Sequence, residues 1–281
     1  MTLREHAGIG PKSLQQLLIS FGAPQDCWKS DEGEIAELPR FGARKEEQIH
    51  AARPLLPLVV ERLEDYERRG IDLVTVLDPD YPDLLREIDA PPPYFYYSGD
   101  LEILRLNTVA IVGSHEASAE GIAEAVRLGK KIAATGAVVV SGLARGIDGG
   151  AHVGAIQDEG RTVAVLGSGL DEIYPPEHAE LAEQIKAHGL LLSEYRPETK
   201  VAASRLIARN RVIVGLARSV IVVEVTEGSG GTVAAISETQ KQGKLLFSCF
   251  DINRKGAATN ELGAVQLRAA DDWKMVLRYM V

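Results

Sequence analysis

What most constrains this chain is a series of short aliphatic runs, several of which drive straight into glycine. TVAIVG (108–113), AVVVSG (137–142), RTVAVLGSG (161–169), LLLSEY (190–195), SVIVVEV (219–225) and KLLFSCF (244–250) show no polar alternation. Strands of that kind are buried on both faces, which requires a parallel sheet with helices on either side. Segments with helical character separate the runs: 115–136, 146–160, 179–189, 203–217 and 232–243. Alternation of this sort predicts an α/β fold over 106–281, a doubly wound Rossmann-like, mostly parallel sheet.

Two further regions precede it. Residues 1–55 read as short helices. GIGPKSLQQLLISFG (8–22) opens on a Gly-Ile-Gly turn and then repeats leucine at helical spacing; ELPRFGARKEEQIHAAR (37–53) reads as a degenerate second copy. This is the pattern of a small helix-hairpin-helix-like module. Its hairpin either presents backbone N–H groups to a phosphate or serves packing alone. Residues 56–105 form a bridge expected to pack on the main domain: a charged helix closed by Gly70, a strand at 71–78, a turn and helix, then three prolines that forbid helix. The aromatic run Tyr94–Tyr97 is expected to pack rather than to stack on a ligand.

The bulk numbers exclude several classes. No apolar run approaches the roughly 18 residues of a membrane helix. Two cysteines, Cys27 and Cys249, without a CxxC pair argue against a disulfide scaffold or structural zinc, and fit a reducing cytoplasm. The net charge of −9 disfavours a polyanionic partner. That charge is segregated, however: from Arg196 to Arg218 there are six basic residues and one acid, Glu198.

In a doubly wound sheet, ligands sit beyond the carboxyl ends of the strands. Here those ends are bare: Gly113, Ser114 and His115; Gly142, Arg145 and Gly146; Gly167 and Ser168; Ser229, Gly230 and Thr232. Glycine lets a ligand reach the backbone, and free N–H groups at helix starts attract anions. Four such ends on one edge predict a phosphate-friendly crevice, in which Gly146 and the Gly149–Gly150 pair keep Cβ atoms out of the ligand's path. Arg209, Asn210 and Arg211 are placed beside it. Arg209 and Arg211 stand about 200° apart on a helix. Hence either the helix starts near Asn210 with Arg209 in the preceding loop, or only one of the two arginines contacts the ligand. Arg211 and Arg218, seven apart, would share a face. Asp148 is expected to cap the helix after the glycine loop, His152 to pack inside it, and Asp171 and Tyr174 to fix their loop. Neither GxGxxG nor GxxxxGK[ST] occurs, no cluster has metal-ligand spacing, and no nucleophile–base set emerges. No cofactor, metal or catalytic residue is expected.

SGLARGIDGGAH (141–152), AVLGSGLDEIYP (164–175), LLSEY (191–195) and RNRVIVGLA (209–217) resemble the signature of the DNA-processing protein A (DprA/Smf) family. The resemblance extends to the N-terminal module, to DPDYPDLLREIDAPPPYFYYSGD (78–100) and to the closing segment NELGAVQLRAADDWKMVL (260–277). It implies a cytoplasmic, non-enzymatic protein that binds single-stranded DNA in its Rossmann-like domain. It further implies that the protein helps load a RecA-type recombinase on DNA taken up in natural transformation, and that it forms homodimers. This chain departs from the family pattern in three places. His115 stands where members have Arg or Lys, Leu206-Ile207-Ala208 replaces a Phe-Pro turn, and 228–232 reads GSGGT. Through Val281 the winged-helix tail of many members is expected to be lacking. Two rival readings use the same loops. One is a nucleotide-binding sensor. The other is a phosphoribohydrolase-like enzyme, whose motif would require a glutamate where Ala235 stands; Glu238 lies three residues further on.

Overall fold

The computed structural model describes residues 1–226, 229–249, 263–267 and 272–278. The chain runs α1 (Thr2–Glu5), α2 (Pro11–Phe21), α3 (Ala43–Ala52), α4 (Leu56–Arg68), β1 (Asp72–Thr75), α5 (Asp83–Arg86), β2 (Tyr94–Gly99) and β3 (Thr108–Val112). It continues with α6 (Ala119–Ala133), β4 (Val138–Ser141), α7 (Ile147–Ile156), β5 (Thr162–Leu166), α8 (Ala179–His188), β6 (Leu190–Ser193), α9 (Ala203–Ala208) and α10 (Asn210–Leu216). β7 (Ser219–Val222), α11 (Gly230–Lys241), β8 (Leu245–Cys249), β9 (Val265–Leu267) and α12 (Trp273–Arg278) complete it.

Among the described residues, nine strands form one sheet in the order β1-β2-β6-β5-β4-β3-β7-β8-β9. From β6 to β9 every pairing is parallel, while β2 joins β6, and β1 joins β2, antiparallel. The expected α/β, mostly parallel architecture is what the structure has. The two antiparallel strands come from the bridging segment, so 56–105 extends the sheet instead of merely resting on it.

Both-face burial explains why the strands read as unbroken aliphatic runs. Ala110, Val112, Val138 and Val140 face one core with Val212, Ile213 and Ile236 of α10 and α11. Their neighbours Val109, Ile111 and Val139 face the other, with Leu128 and Ile132 of α6 and Ala151 of α7. The tyrosine run packs as expected: Tyr94, Phe95 and Tyr96 are buried, and the Tyr66 and Tyr96 rings meet edge-on at 5.6 Å. The N-terminal module has its own core of Leu3, Ile9, Leu14, Leu17, Cys27, Ile35 and Ile49.

Strand order places the switch point. From β3 the chain winds outward through β4, β5 and β6, then returns to lay β7 on the opposite side of β3. The loops after β3 and β7 therefore diverge and leave a gap at the carboxyl edge, the place where open α/β sheets bind ligands.

The segment 203–217 departs from the single helix its periodicity suggests. It is divided at Arg209 into α9 and α10. Arg218 lies beyond the helix, its N–H bonded to Thr108 O at the amino edge of the sheet, so it shares no face with Arg211. The closing segment 260–277 falls partly outside the described residues.

Candidate functional site

A crevice of about 250 Å³ opens at the switch point. Gly113 and His115 after β3, Gly142, Ala144 and Arg145 after β4, and Ser229, Gly231 and Thr232 at the start of α11 surround it. Leu206, Ile207, Arg209, Asn210 and Tyr174 also line it, with buried Asp148, Ile213 and Ala235 at its floor.

Arg209 is the keystone. The residue is 95% buried, and its guanidinium donates to Gly142 O and to Val165 O (2.6 Å), tying the ends of β4 and β5 together. A Cβ at Gly142 would overlap this guanidinium, so glycine there makes way for Arg209 instead of for a ligand. Nη2 lies 3.5 Å from Asp148, equally buried. Burial pushes the Asp148 carboxyl up, while Arg209 and the amides of Ala144 and Gly142 pull the other way. Asp148 thus neutralises Arg209 and gathers the glycine loop. It does not cap α7, whose N-cap is Gly146 with no side-chain cap bond.

A second knot ties the loops after β3 and β7. Ser114 Oγ shares hydrogen bonds with Thr226 Oγ1 (2.5 Å) and Ser229 Oγ (2.8 Å) and is fully buried. Asn210 Nδ2 donates to Gly231 O at 2.8 Å, fixing the first turn of α11. Glu224, two residues past β7, accepts from the N–H and hydroxyl of Ser118 and anchors the start of α6.

These contacts sort the residues expected from sequence. Gly113, His115, Gly142, Arg145, Arg209, Asn210, Ser229 and Thr232 line the crevice. Gly230 lies beside it: a Cβ there, or at Gly231, would meet nothing within 4 Å, so the backbone of the first turn of α11 is open. Ser114 belongs to the internal knot. The loop carrying Gly167 and Ser168 is closed, because α9 lays Leu206 against Gly167 and Ser168 Oγ donates to Glu172 O. Three strand ends, not four, therefore open into the crevice. Arg211 points away from it, paired with Glu194 and donating to Ala90 O at 2.7 Å. α10 begins at Asn210, which turns Arg209 inward and Arg211 to the far side, as the 200° separation requires.

Three glycines do other work than the sequence suggested. Gly146 has φ +68°, and a Cβ there would run into the backbone carbonyls of Ser114 and His115. Gly149 packs on His178 and Gly150 on Ile122 of α6. All three serve the packing of α7 rather than a path for a ligand. His152 is buried as expected, its Nδ1 2.8 Å from Thr162 Oγ1.

Tyr174, expected to fix its loop, and Leu206–Ile207, which depart from the family pattern, all line the crevice. Their chain positions gave no hint that the loop after β5 and the break before α10 meet at one crevice. Charge is largely cancelled inside: Arg209 is matched by Asp148, and half-exposed Arg145 is bonded to Glu177, which it holds below its usual range. Ala235 lines the floor, whereas Glu238 faces a separate depression with Lys241 and Gln242. Among the described residues no cluster of His, Cys, Asp and Glu could hold a metal, and no helix is long and apolar enough to cross a membrane.

A family model described as DNA recombination-mediator protein A matches residues 72–272. Protein Smf of Synechocystis is 39% identical over 232 residues, which are 81% of this chain and 58% of that protein. DNA processing protein DprA of Bacillus subtilis is 36% identical over 231 residues, 79% of this chain and 76% of that protein. The chain thus spans less than two thirds of the Synechocystis relative. The X-ray structure of DNA processing protein A from Streptococcus pneumoniae superposes with a TM-score of 0.82 at 28% identity, covering 98% of this chain and 95% of that one. The Helicobacter pylori protein, described for its unique single-stranded DNA binding mode, superposes with a TM-score of 0.64 at 25% identity, covering 74% and 96%.

Proposed function

The chain belongs to the DNA recombination-mediator protein A family, and on that premise we propose that its crevice binds single-stranded DNA. The observation that carries the reading is the convergence of three bare strand ends at the topological switch point, beside the open first turn of α11. Backbone N–H groups and the positive end of a twelve-residue helix suit a phosphate. The apolar walls of Leu206, Ile207 and Tyr174 suit a base or sugar. Reading by backbone and apolar surface carries little sequence preference. The wider role that goes with it is to help load a RecA-type recombinase on incoming DNA, as a cytoplasmic homodimer without catalytic activity of its own.

Gly231 is the probe. It lines the crevice, its backbone dihedrals suit any residue, and a Cβ there meets open space. Gly231→Leu should fold with an unchanged melting temperature and fill the crevice. We expect its affinity for a short oligothymidylate to fall at least about tenfold, or ~1.4 kcal/mol. A folded variant that binds like wild type overturns the reading.

A nucleotide-sensing role is the second reading, favoured by the crevice's cancelled charges. AMP that displaces the oligonucleotide at equal concentration would favour it. Hydrolysis has less support, because Ala235 occupies the floor where an acid would be needed and Glu238 faces elsewhere.

A further inference from the structure

The segment between β6 and α9 leads directly away from the crevice wall and carries charge that the crevice does not use. Leu206 and Ile207 are crevice walls; the residue before them, Arg205, lays its guanidinium over the Tyr195 ring at 5.3 Å. Arg205 Nη1 donates to Lys200 O at 2.6 Å, which holds the arginine in this pose and curls the loop beneath it. Lys200 extends its side chain into solvent, 83% exposed, with Glu172 3.7 Å away. Arg196 is exposed in the same loop, and Glu198 is the one acid between Tyr195 and Arg205. Between this group and the crevice mouth the outer face of α9 is small or apolar: Ala203, Ser204 and Ala208 are exposed, and Ile207 is half-exposed. α11 packs beside α9 and adds half-exposed Val233.

These features differ from those of the crevice in kind. Arg209 and Arg145 lie against carboxylates within the crevice, whereas Arg205 in the first turn of α9 and Lys200 and Arg196 in the loop before it gather at the surface, Lys200 with Glu172 beside it. A guanidinium seated on an aromatic ring presents a flat, cationic outer face. That is a surface on which a base stacks while neighbouring ammonium and guanidinium groups meet phosphates. An uncluttered, partly apolar helix face between two such sites offers a flexible strand continuous contact.

Resting on the single-strand reading of the crevice, we propose that the strand continues across α9 onto a second contact surface, made by Arg205 stacked on Tyr195 and flanked by Lys200. This surface holds the nucleotides adjacent to the one in the crevice. It makes affinity depend on oligonucleotide length, where the crevice alone would saturate with a few nucleotides.

The experiment compares a short oligothymidylate, about four nucleotides, with one of about fifteen, a span comparable to known single-strand site sizes. Wild-type protein, Arg205→Gln, Tyr195→Leu and Lys200→Glu are titrated by fluorescence anisotropy, each with a thermal melt. Wild type should bind the longer strand about a hundredfold or more tighter, well above the roughly tenfold that about twelve equivalent registers on the longer strand supply by statistics alone. The variants should match wild type on the short strand and lose most of that gain, with the salt slope on the long strand smaller by about 0.7 for Arg205→Gln. Folded variants that keep the full length-dependent gain overturn the second surface and leave the crevice reading intact. If wild type binds neither strand, both fall. Tyr195→Leu alone losing stability would not blur the result, since Lys200→Glu tests the same surface from an exposed position.

Discussion

Gly146 and His152, six residues apart, show how differently two side chains in one motif can be constrained. Gly146 sits at φ +68° with the Ser114 and His115 carbonyls where a Cβ would go. A β-branched residue there incurs backbone strain of about 1–3 kcal/mol before the clash is counted. Gly146→Val should therefore lower the melting temperature measurably and weaken DNA binding only through lost structure. An undiminished melting temperature would return the glycine to a ligand-facing role. His152 is fully buried, and Thr162 Oγ1 donates onward to Val139 O, so it must accept from His152 Nδ1–H. Burial, with Arg209 and His178 nearby, pushes the imidazole down to about 3. Its folded value lies below the unfolded one, so the unfolded chain binds the extra proton and stability drains away as pH falls from about 6.5 toward 3. Of order 3 kcal/mol should be lost from this group between pH 7 and pH 4. Urea unfolding of wild type and His152→Gln at both pH values checks this; an equal acid sensitivity in the two proteins would assign the loss to other groups.

Among the elements, the junction of α9 and α10 is where sequence and structure part most instructively. Its apolar periodicity is continuous, and the one local hint of a helix start near Asn210 is the 200° separation of Arg209 and Arg211. The cause is tertiary: the guanidinium is drawn to the carbonyl ends of β4 and β5 and to Asp148, residues distant in the chain. Asp148→Asn leaves a buried, uncompensated guanidinium and should cost about 3 kcal/mol or more. Denaturant titration reads that cost, and a loss under about 1 kcal/mol would mean the carbonyls alone hold the junction. Arg211, two residues on, has the opposite fate. Its partners Glu194 and Ala90 O join α10 to the end of β6 and to the bridging segment. Arg211→Ala should destabilise by about 2 kcal/mol, the loss of a mostly buried, charge-assisted contact. Its DNA affinity should stay within about twofold of wild type. A stable variant with markedly weaker DNA binding would put Arg211 back on the ligand's path.

For the whole molecule, the unalternating strands and glycine ends disclosed the doubly wound sheet, and the switch point then located the crevice. Which loop ends stay open was not legible, because it depends on side chains that cross between distant loops: Leu206 seals Gly167, and Ser114 joins Thr226. The charge balance was misleading for the same reason. A net charge of −9 and a basic stretch from 196 to 218 suggest an arginine-lined groove in an acidic protein. In the fold that stretch is dealt out in four directions, with Arg209 buried against Asp148 at the crevice, Arg211 to the bridge, Arg218 to the amino edge of the sheet, and Arg196, Lys200 and Arg205 to the surface at the start of α9. This distribution fixes the expected salt dependence. Each phosphate neutralised on a single strand contributes a slope of about −0.7, so three cations give about −2 on a log–log plot of affinity against salt. At 0.15 M, where the Debye length is about 8 Å, the acidic remainder of the molecule is screened and the local cations govern. Near 0.01 M the length is about 30 Å, the whole net charge repels the strand, and the plot should flatten. Anisotropy titrations across that range test both parts. A slope near −4 would mean that Arg145 and Arg209 leave their carboxylates when DNA binds, and a slope near zero would remove the basic loop from the path of the strand.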